Sequence, residues 1–301
     1  MSQSFMESDS DFDERDAEQV IQVLRSATSQ LWADSRRQGS TIHLPARGHL
    51  LVTGDLHDNP LNFTHTIRLA KLDESTDNHV VLHELIHGDR TVNGLDLSYR
   101  MLVRVARLVV RYPGQVHPLL ANHELSQMAG HPISKGSGEM TGQFDDGVDW
   151  IFGSNGHAVS NALSEFILSM PIALLAANGV FCSHSLPGPS QMTRFDAGVI
   201  ARKLTESDYA PLLGSAWMMV WGRGQTSEQM EKLADEWGVS LFCLGHAFVE
   251  DGIQIGGPRT ILLNTDHDRA TVLPILLSED APSVENAMFS AITLSAYGGM
   301  V

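Results

Sequence analysis

Aspartate, histidine, glutamate and asparagine recur in this chain directly behind short apolar runs. Asp55 and His57 follow LLVTG with one residue between them, a spacing that lets two side chains of an extended segment face the same way. Together they offer a carboxylate and an imidazole to one cation. Glu84 follows VVLH, and its two oxygens suffice to bridge two cations about 3.5–4 Å apart. Asn122 and His123 follow HPLLA, His184 follows VFCS, and His246 follows LFCLG. Mixed oxygen and imidazole donors suit Zn²⁺, Fe or Mn²⁺ better than Ca²⁺, and the absence of cysteine at these positions argues against a structural zinc. A single histidine behind a strand is ordinarily a satisfied, partly buried side chain. The ordered set of such residues is what points to one shared centre.

Such residues converge only if the elements before them run side by side. The apolar runs 49–55, 79–84, 115–124, 179–185, 240–246 and 259–266 read as strands, with a further strand around ATVLPILL. Helical patterns at 59–72, 95–111, 157–169 and 225–237 lie between them, as in an α/β layered fold whose strand ends line a ligand crevice. Residues 1–15 are polar and acidic and read as a flexible tail. An amphipathic helix from about Asp16 to Arg37, on Val20, Ile21, Val23, Leu24, Ala27, Leu31 and Trp32, fills an N-terminal unit 16–40. Residues 41–301 show no composition shift and form one domain.

Composition narrows the partners. Hydrophobic residues make up 43% of the 301, enough for a packed core, while a formal charge of −16 repels nucleic-acid phosphates. Any phosphate must be drawn in locally, by metal or by a few arginines. No run reaches the roughly 20 apolar residues of a bilayer span, and the N-terminus lacks a signal peptide's basic start and apolar middle, so neither a membrane nor nucleic acid is expected as partner and a cytoplasmic location is. Cys182 and Cys243 both lie in apolar runs and read as buried thiols rather than a disulfide framework.

GDLHD (54–58), ANHEL (121–125), FCSH (181–184) and LGHAFVEDG (244–252) resemble the calcineurin-like metallophosphoesterase superfamily. Within it, LSEFILSMPIALLAANGVFCSHSLPGP and GHAFVEDGIQI are most similar to the phosphoprotein phosphatase branch of serine/threonine phosphatases. The resemblance spans about residues 48–275 and implies a four-layer α/β/β/α sandwich with a dinuclear metal site at strand C-terminal ends. It further implies two cations, Mn, Fe or Zn. Asp55 and His57 would hold one, Asn122, His184 and His246 the other, and Glu84 stands where the family has its bridging aspartate. The implied reaction is hydrolysis of a phosphate monoester, on a phosphoprotein or a small phosphoester, by metal-bridged hydroxide. His123 would protonate the leaving oxygen, Asp89, or alternatively the adjacent Glu124, would orient it, and Arg223 and Arg90 would bind phosphoryl oxygens.

The chain departs from the family pattern in VVLHELIHGDR. His83 stands at the family's glycine, Glu84 is a methylene longer than the bridging aspartate, and Asp89-Arg90 is displaced by two residues. His83 and His87 read as solvent-facing loop histidines, with extra ligation as the sharper alternative. Asp58 reads as the cap of the helix near Pro60, or as an orienter of His57. For Arg223 and Arg90 the plain alternative is a surface arginine without ligand. His49, His65, His117, His131, His157 and His267 read as structural or solvated, and Trp217, Trp221, Met218 and Met219 as core or cleft wall. Hydrolysis of dinucleoside polyphosphates or small phosphodiesters is the alternative activity, and a non-catalytic metal-binding interaction module the alternative class.

Overall fold

The computed structural model describes residues 12–130, 134–135 and 138–297. Residues 1–11 of the acidic segment and His131 lie outside them. The chain runs α1 (Ala17–Ala33), β1 (Arg37–Gln38), β2 (Thr41–Leu44), β3 (His49–Asp55), α2 (Pro60–Ala70), β4 (Asn78–His83), β5 (Thr91–Val92), β6 (Leu95–Asp96) and α3 (Tyr99–Arg111). It continues through β7 (Val116–Pro118), α4 (Asn122–Ala129), β8 (Ser134–Lys135), β9 (Gly138–Glu139), α5 (Met140–Phe152), α6 (Gly156–Ser169), β10 (Ala173–Ala176) and β11 (Val180–Ser183). Its last third holds α7 (Ser215–Trp221), α8 (Ser227–Trp237), β12 (Leu241–Leu244), β13 (Ile253–Gly257), β14 (Thr260–Leu263), β15 (Thr271–Leu276), α9 (Val284–Ser290) and β16 (Ile292–Thr293).

Alternation along the strands builds the layers. Leu50 and Val52 of β3, Val81 of β4, Val180 and Cys182 of β11, Leu241 and Cys243 of β12 and Ile261 and Leu263 of β14 form one buried cluster between two sheets. Their neighbours Leu51, Val80, Leu82, Phe181, Phe242 and Leu244 point outward into a second cluster made with the helices. The result is helix, sheet, sheet, helix. One sheet has the order β1-β2-β10-β11-β12-β14-β13 and the other β16-β15-β3-β4-β7. The strands that lead into the candidate site run parallel to their neighbours: β3 with β4, β4 with β7, and β11 with β12.

The two sheets meet behind Asp55. Asp55 bridges to Asn264, and the Thr265 backbone N–H donates to the Asp55 carbonyl at 3.0 Å. A Cβ on Gly54 would lie 2.0 Å from the Leu263 carbonyl oxygen, so only glycine lets β14 come this close. Cys182 and Cys243 face each other across β11 and β12 as free, buried thiols.

Helix ends differ from the sequence expectation where capping decides. The first helix spans 17–33, beginning behind Asp16, whose carboxylate accepts from the Glu18 and Gln19 N–H groups. It buries Val20, Leu24, Ala27 and Leu31 in the same cluster as the outer helices. Just before it, the Glu14 carboxylate takes the Arg104 guanidinium at 2.9 Å. The helix expected over 95–111 starts only at Tyr99, because Leu95–Asp96 pairs with Thr91–Val92 in a small hairpin. The strand expected over 115–124 is three residues long, and Asn122 and His123 open α4 instead. The cap of α2 is Asn59, whose side chain accepts from Asn62 N–H, so Asp58 does not fill that role. Proline at position 60 fixes the first helical residue and hence the residue before it as the cap. No helix among the described residues is long and apolar enough to cross a membrane.

Candidate metal centre

Six polar side chains from five separate segments meet at one end of the two sheets. Asn122 Oδ1, His184 Nε2 and His246 Nδ1 form a tight triangle, with separations of 2.6, 3.0 and 3.1 Å. Glu84 Oε2 lies 3.8 Å from the same His184 nitrogen and 3.4 Å from His57 Nε2. Asp55 Oδ1 lies 3.4 Å from His184 Nδ1 and accepts the backbone N–H of His246 at 2.9 Å. A Cβ on Gly245 would stand 2.3 Å from that oxygen, so the glycine before His246 is what admits the Asp55 carboxylate.

The loops that carry these groups are bent out of ordinary backbone. His57, Asp58, Glu84, His87 and His246 all have positive φ, between 40° and 65°, a conformation uncommon for non-glycine residues. Asp55 and His57 are therefore not two residues of one extended segment. The strand ends at Asp55, and a left-handed turn brings His57 beside Glu84. Strain of this kind persists only where surrounding contacts over-determine it. Glu124 supplies such contacts, because its Oε1 accepts the backbone N–H groups of Leu85 at 2.6 Å and Ile86 at 3.2 Å. The Leu56, His57 and Asp58 amides in turn donate to carbonyls of residues 83–85.

The donor set fits cations. Burial, together with the neighbouring Asp55 and Glu124 carboxylates, pushes Glu84 well above the usual carboxylate range. Burial acts on Asp55 in the same sense, but the His184 and His57 imidazoles overcome it and hold Asp55 well below that range. Glu84 Oε1, His184 Nδ1 and His246 Nε2 are buried without a hydrogen-bond partner. The Glu84 and Asp55 carboxylates oppose one another and several donor atoms beside them are unpartnered, and a divalent cation relieves both. Asp55, His83 and His184 place donor atoms within 4.8 Å of one another, as do His57, Glu84 and His123.

His123 opens α4 beside this cluster, its Nε2 3.6 Å from Glu84 Oε1. Burial, then the His57, His87 and His184 imidazoles, push it down to about 2, so it is neutral in the free protein. Its Nδ1 has no hydrogen-bond partner, and Asp89, exposed on the following loop, does not supply one. The rings that pack against His123 are His57 and His87, at 5.0 and 5.4 Å between centroids. His87 is itself held by Asp96 at 2.7 Å. His83 and His87 are not solvent-facing loop residues, since both are fully buried, and burial pushes His83 down to about 3. Sequence reading missed Asp96, Gly54 and Gly245 as supports of the site, and weighed Glu124 only as a partner of His123. The signal within reach was an acid directly behind His123 and a glycine directly before each of Asp55 and His246.

The two arginines stand at the rim. Arg223 is exposed in the Gly222–Gly224 turn after α7, close enough that its charge lowers both Glu84 and His246. It borders a cavity of ≈ 240 Å³ shared with Gln225, Gly245, His246 and Thr260. Arg90 is exposed and donates to the Asp58 carbonyl at 3.1 Å. Met218 and Met219 are core residues, while Trp217 stacks on Trp221, whose ring meets His246 edge-on at 6.1 Å. His117 pairs with His79 in the core, His267 bonds the Val249 carbonyl, and His157 contacts Asn161.

Comparison with known proteins bears on the fold and the family. No curated protein sequence matches the chain. A serine/threonine phosphatase from Saccharomyces cerevisiae, described as similar to human phosphatase PP5, shares the fold with a TM-score of 0.62 at 14% identity, over 87% of this chain and 83% of that one. A cold-active protein-tyrosine phosphatase from a psychrophilic Shewanella aligns with a TM-score of 0.51 at 14% identity, covering 81% and 79%. Residues 48–249 match the sequence profile of the calcineurin-like phosphoesterases, and every donor gathered at the centre lies inside that stretch; the chain belongs to that family.

Proposed function

We propose that this metal-dependent phosphoesterase hydrolyses phosphate monoesters, with phosphoserine- and phosphothreonine-bearing proteins as its substrate class. The observation that carries the reading is the triangle of Asn122, His184 and His246 abutting Glu84, with His57 beside Glu84 and Asp55 beside His184. In this reading Asp55 and His57 hold one cation, Asn122, His184 and His246 hold a second, and Glu84 reaches both. Bound there, Mn, Fe or Zn would supply a water-derived nucleophile near neutral pH and neutralise phosphoryl charge.

The chain's own groups do the rest. Arg223, at the rim with its guanidinium free to fork, binds phosphoryl oxygens and sets the substrate's approach. Arg90, tied to the Asp58 carbonyl, extends the same positive edge. His123 is the proton donor to the leaving oxygen. It is neutral in the free protein, and the dianionic phosphate beside it raises its affinity for the proton it must deliver. His87, fixed by Asp96, fills the place behind His123 for which the sequence suggests Asp89. Both named structural neighbours are described as protein phosphatases, which favours monoesters over diesters.

Hydrolysis of p-nitrophenyl phosphate and a phosphoserine peptide, set beside bis(p-nitrophenyl) phosphate and a dinucleoside tetraphosphate, tests this in Mn²⁺, Zn²⁺ and Fe²⁺. Turnover of the monoesters should dominate and follow metal content. A preference for the diester or for the dinucleoside tetraphosphate would replace the substrate class, and stoichiometric metal without turnover of any would leave a binding module.

A further inference from the structure

His83 ends β4 and, beyond a register shift in β3, is paired with Asp55 at the end of that parallel strand. Paired residues of neighbouring strands direct their side chains to the same face, and the His83 imidazole accordingly brings a nitrogen within 4.8 Å of an Asp55 oxygen. It is fully buried, and neither of its ring nitrogens has a hydrogen-bond partner. A neutral imidazole carries one donor and one acceptor nitrogen, and burying both unmatched is costly enough that native structures rarely do so. Two groups close to it are also donors: Asp55, His83 and His184 bring one ligand-capable atom each within 4.8 Å of one another, and the His83 and His184 ring centroids are 6.1 Å apart. The resemblance places a glycine at this position, which could contribute nothing to a cation, whereas this chain puts a nitrogen there.

We propose that His83 is an additional metal ligand, adding one ring nitrogen to the cation that Asp55 binds. This rests on the reading of Asp55 as a ligand given above. Its consequence is selectivity. An extra imidazole shifts a carboxylate-rich site toward cations that favour nitrogen, such as Zn²⁺, Fe²⁺ and Co²⁺, and away from Mn²⁺.

Cobalt(II) chloride tests this on the full chain. In the proton spectrum of the Co²⁺-loaded protein in water, each coordinated histidine contributes one shifted, exchangeable ring N–H. His57, His184 and His246 account for three such signals, and His83 should add a fourth. His83→Gly should remove one signal, weaken Co²⁺ by about tenfold or more, and lower the Zn²⁺-over-Mn²⁺ affinity ratio, with His83→Phe as the variant that keeps the ring volume. Three signals in the unmodified protein, unchanged by either substitution and with unaltered affinity, would overturn the His83 assignment and leave the proposed function standing. If the unmodified protein takes up no Co²⁺, both fall together.

Discussion

The Glu124 carboxylate holds the Leu85 backbone amide at 2.6 Å, and through it the left-handed turn on which Glu84 sits. Glu124 is fully buried, so Glu124→Ala leaves the Leu85 and Ile86 amides without an acceptor inside the protein. The expected loss is about 2–4 kcal/mol of unfolding free energy, read from urea denaturation. Glu124→Gln keeps an acceptor oxygen and should lose less than half of that. Equal losses in the two variants would mean that the site turn is not held by this oxygen.

Glu84 and Asp55 are two buried carboxylates whose proximity is unfavourable without a cation between them. Glu84→Gln should therefore melt at the same temperature as the metal-stripped parent or above it, yet gain little on adding Mn²⁺ or Zn²⁺. The parent should gain several degrees from either metal, because binding to the folded state alone stabilises it. Scanning calorimetry with and without chelator gives both numbers, and a metal response in the variant equal to the parent's would remove Glu84 from the ligand set.

Turnover should fall about 10²–10⁴-fold in His123→Ala while metal content stays within error of the parent. The loss should be largest for alkyl phosphates and smallest for p-nitrophenyl phosphate, whose leaving group needs no proton. Metal analysis alongside the rates separates the roles, since coincident loss of a cation would make His123 a ligand with His57 and Glu84.

His79 and His117 form a second, purely structural histidine pair, 3.2 Å apart and buried between β4 and β7. Burial, with Arg36 adding to it, pushes His79 down to about 4, and burial and His79 push His117 well below its ordinary value. Arg36 opposes protonation there, while Asp77 and Asp34 favour it only weakly. The unfolded chain takes up these protons near pH 6.5 and the folded one only at lower pH. The stability that depends on their neutrality is thus complete above about pH 6.5 and is lost as pH falls toward 4, by at most about 3 kcal/mol for His79. A His79→Gln, His117→Gln variant should show a flatter fall in melting temperature across that window than the parent. Parallel curves would exclude the pair as the source.

The order and character of the elements were legible in the chain itself. Val81 against Val80 and Leu82, or Cys182 against Phe181, already alternate between an inner and an outer face, because the period of a strand is a property of the backbone. The convergence of the candidate donors Asp55, His57, Glu84, Asn122, His184 and His246 was legible from their following apolar runs, because parallel strands deliver their C-terminal ends to one edge whatever the sequence distance between them. Tertiary structure alone decided what surrounds them. No local pattern distinguishes a histidine in a loop from one in a core, so the burial of His83 and His87 waited on β3 lying beside β4 and on Asp96 arriving from a hairpin. Glu124 looked like the third letter of a motif and proved to be the clamp on a turn 39 residues earlier. Backbone sign, burial and partner choice are set by contacts between segments remote in sequence, and those contacts exist only once the two sheets have closed over Gly54.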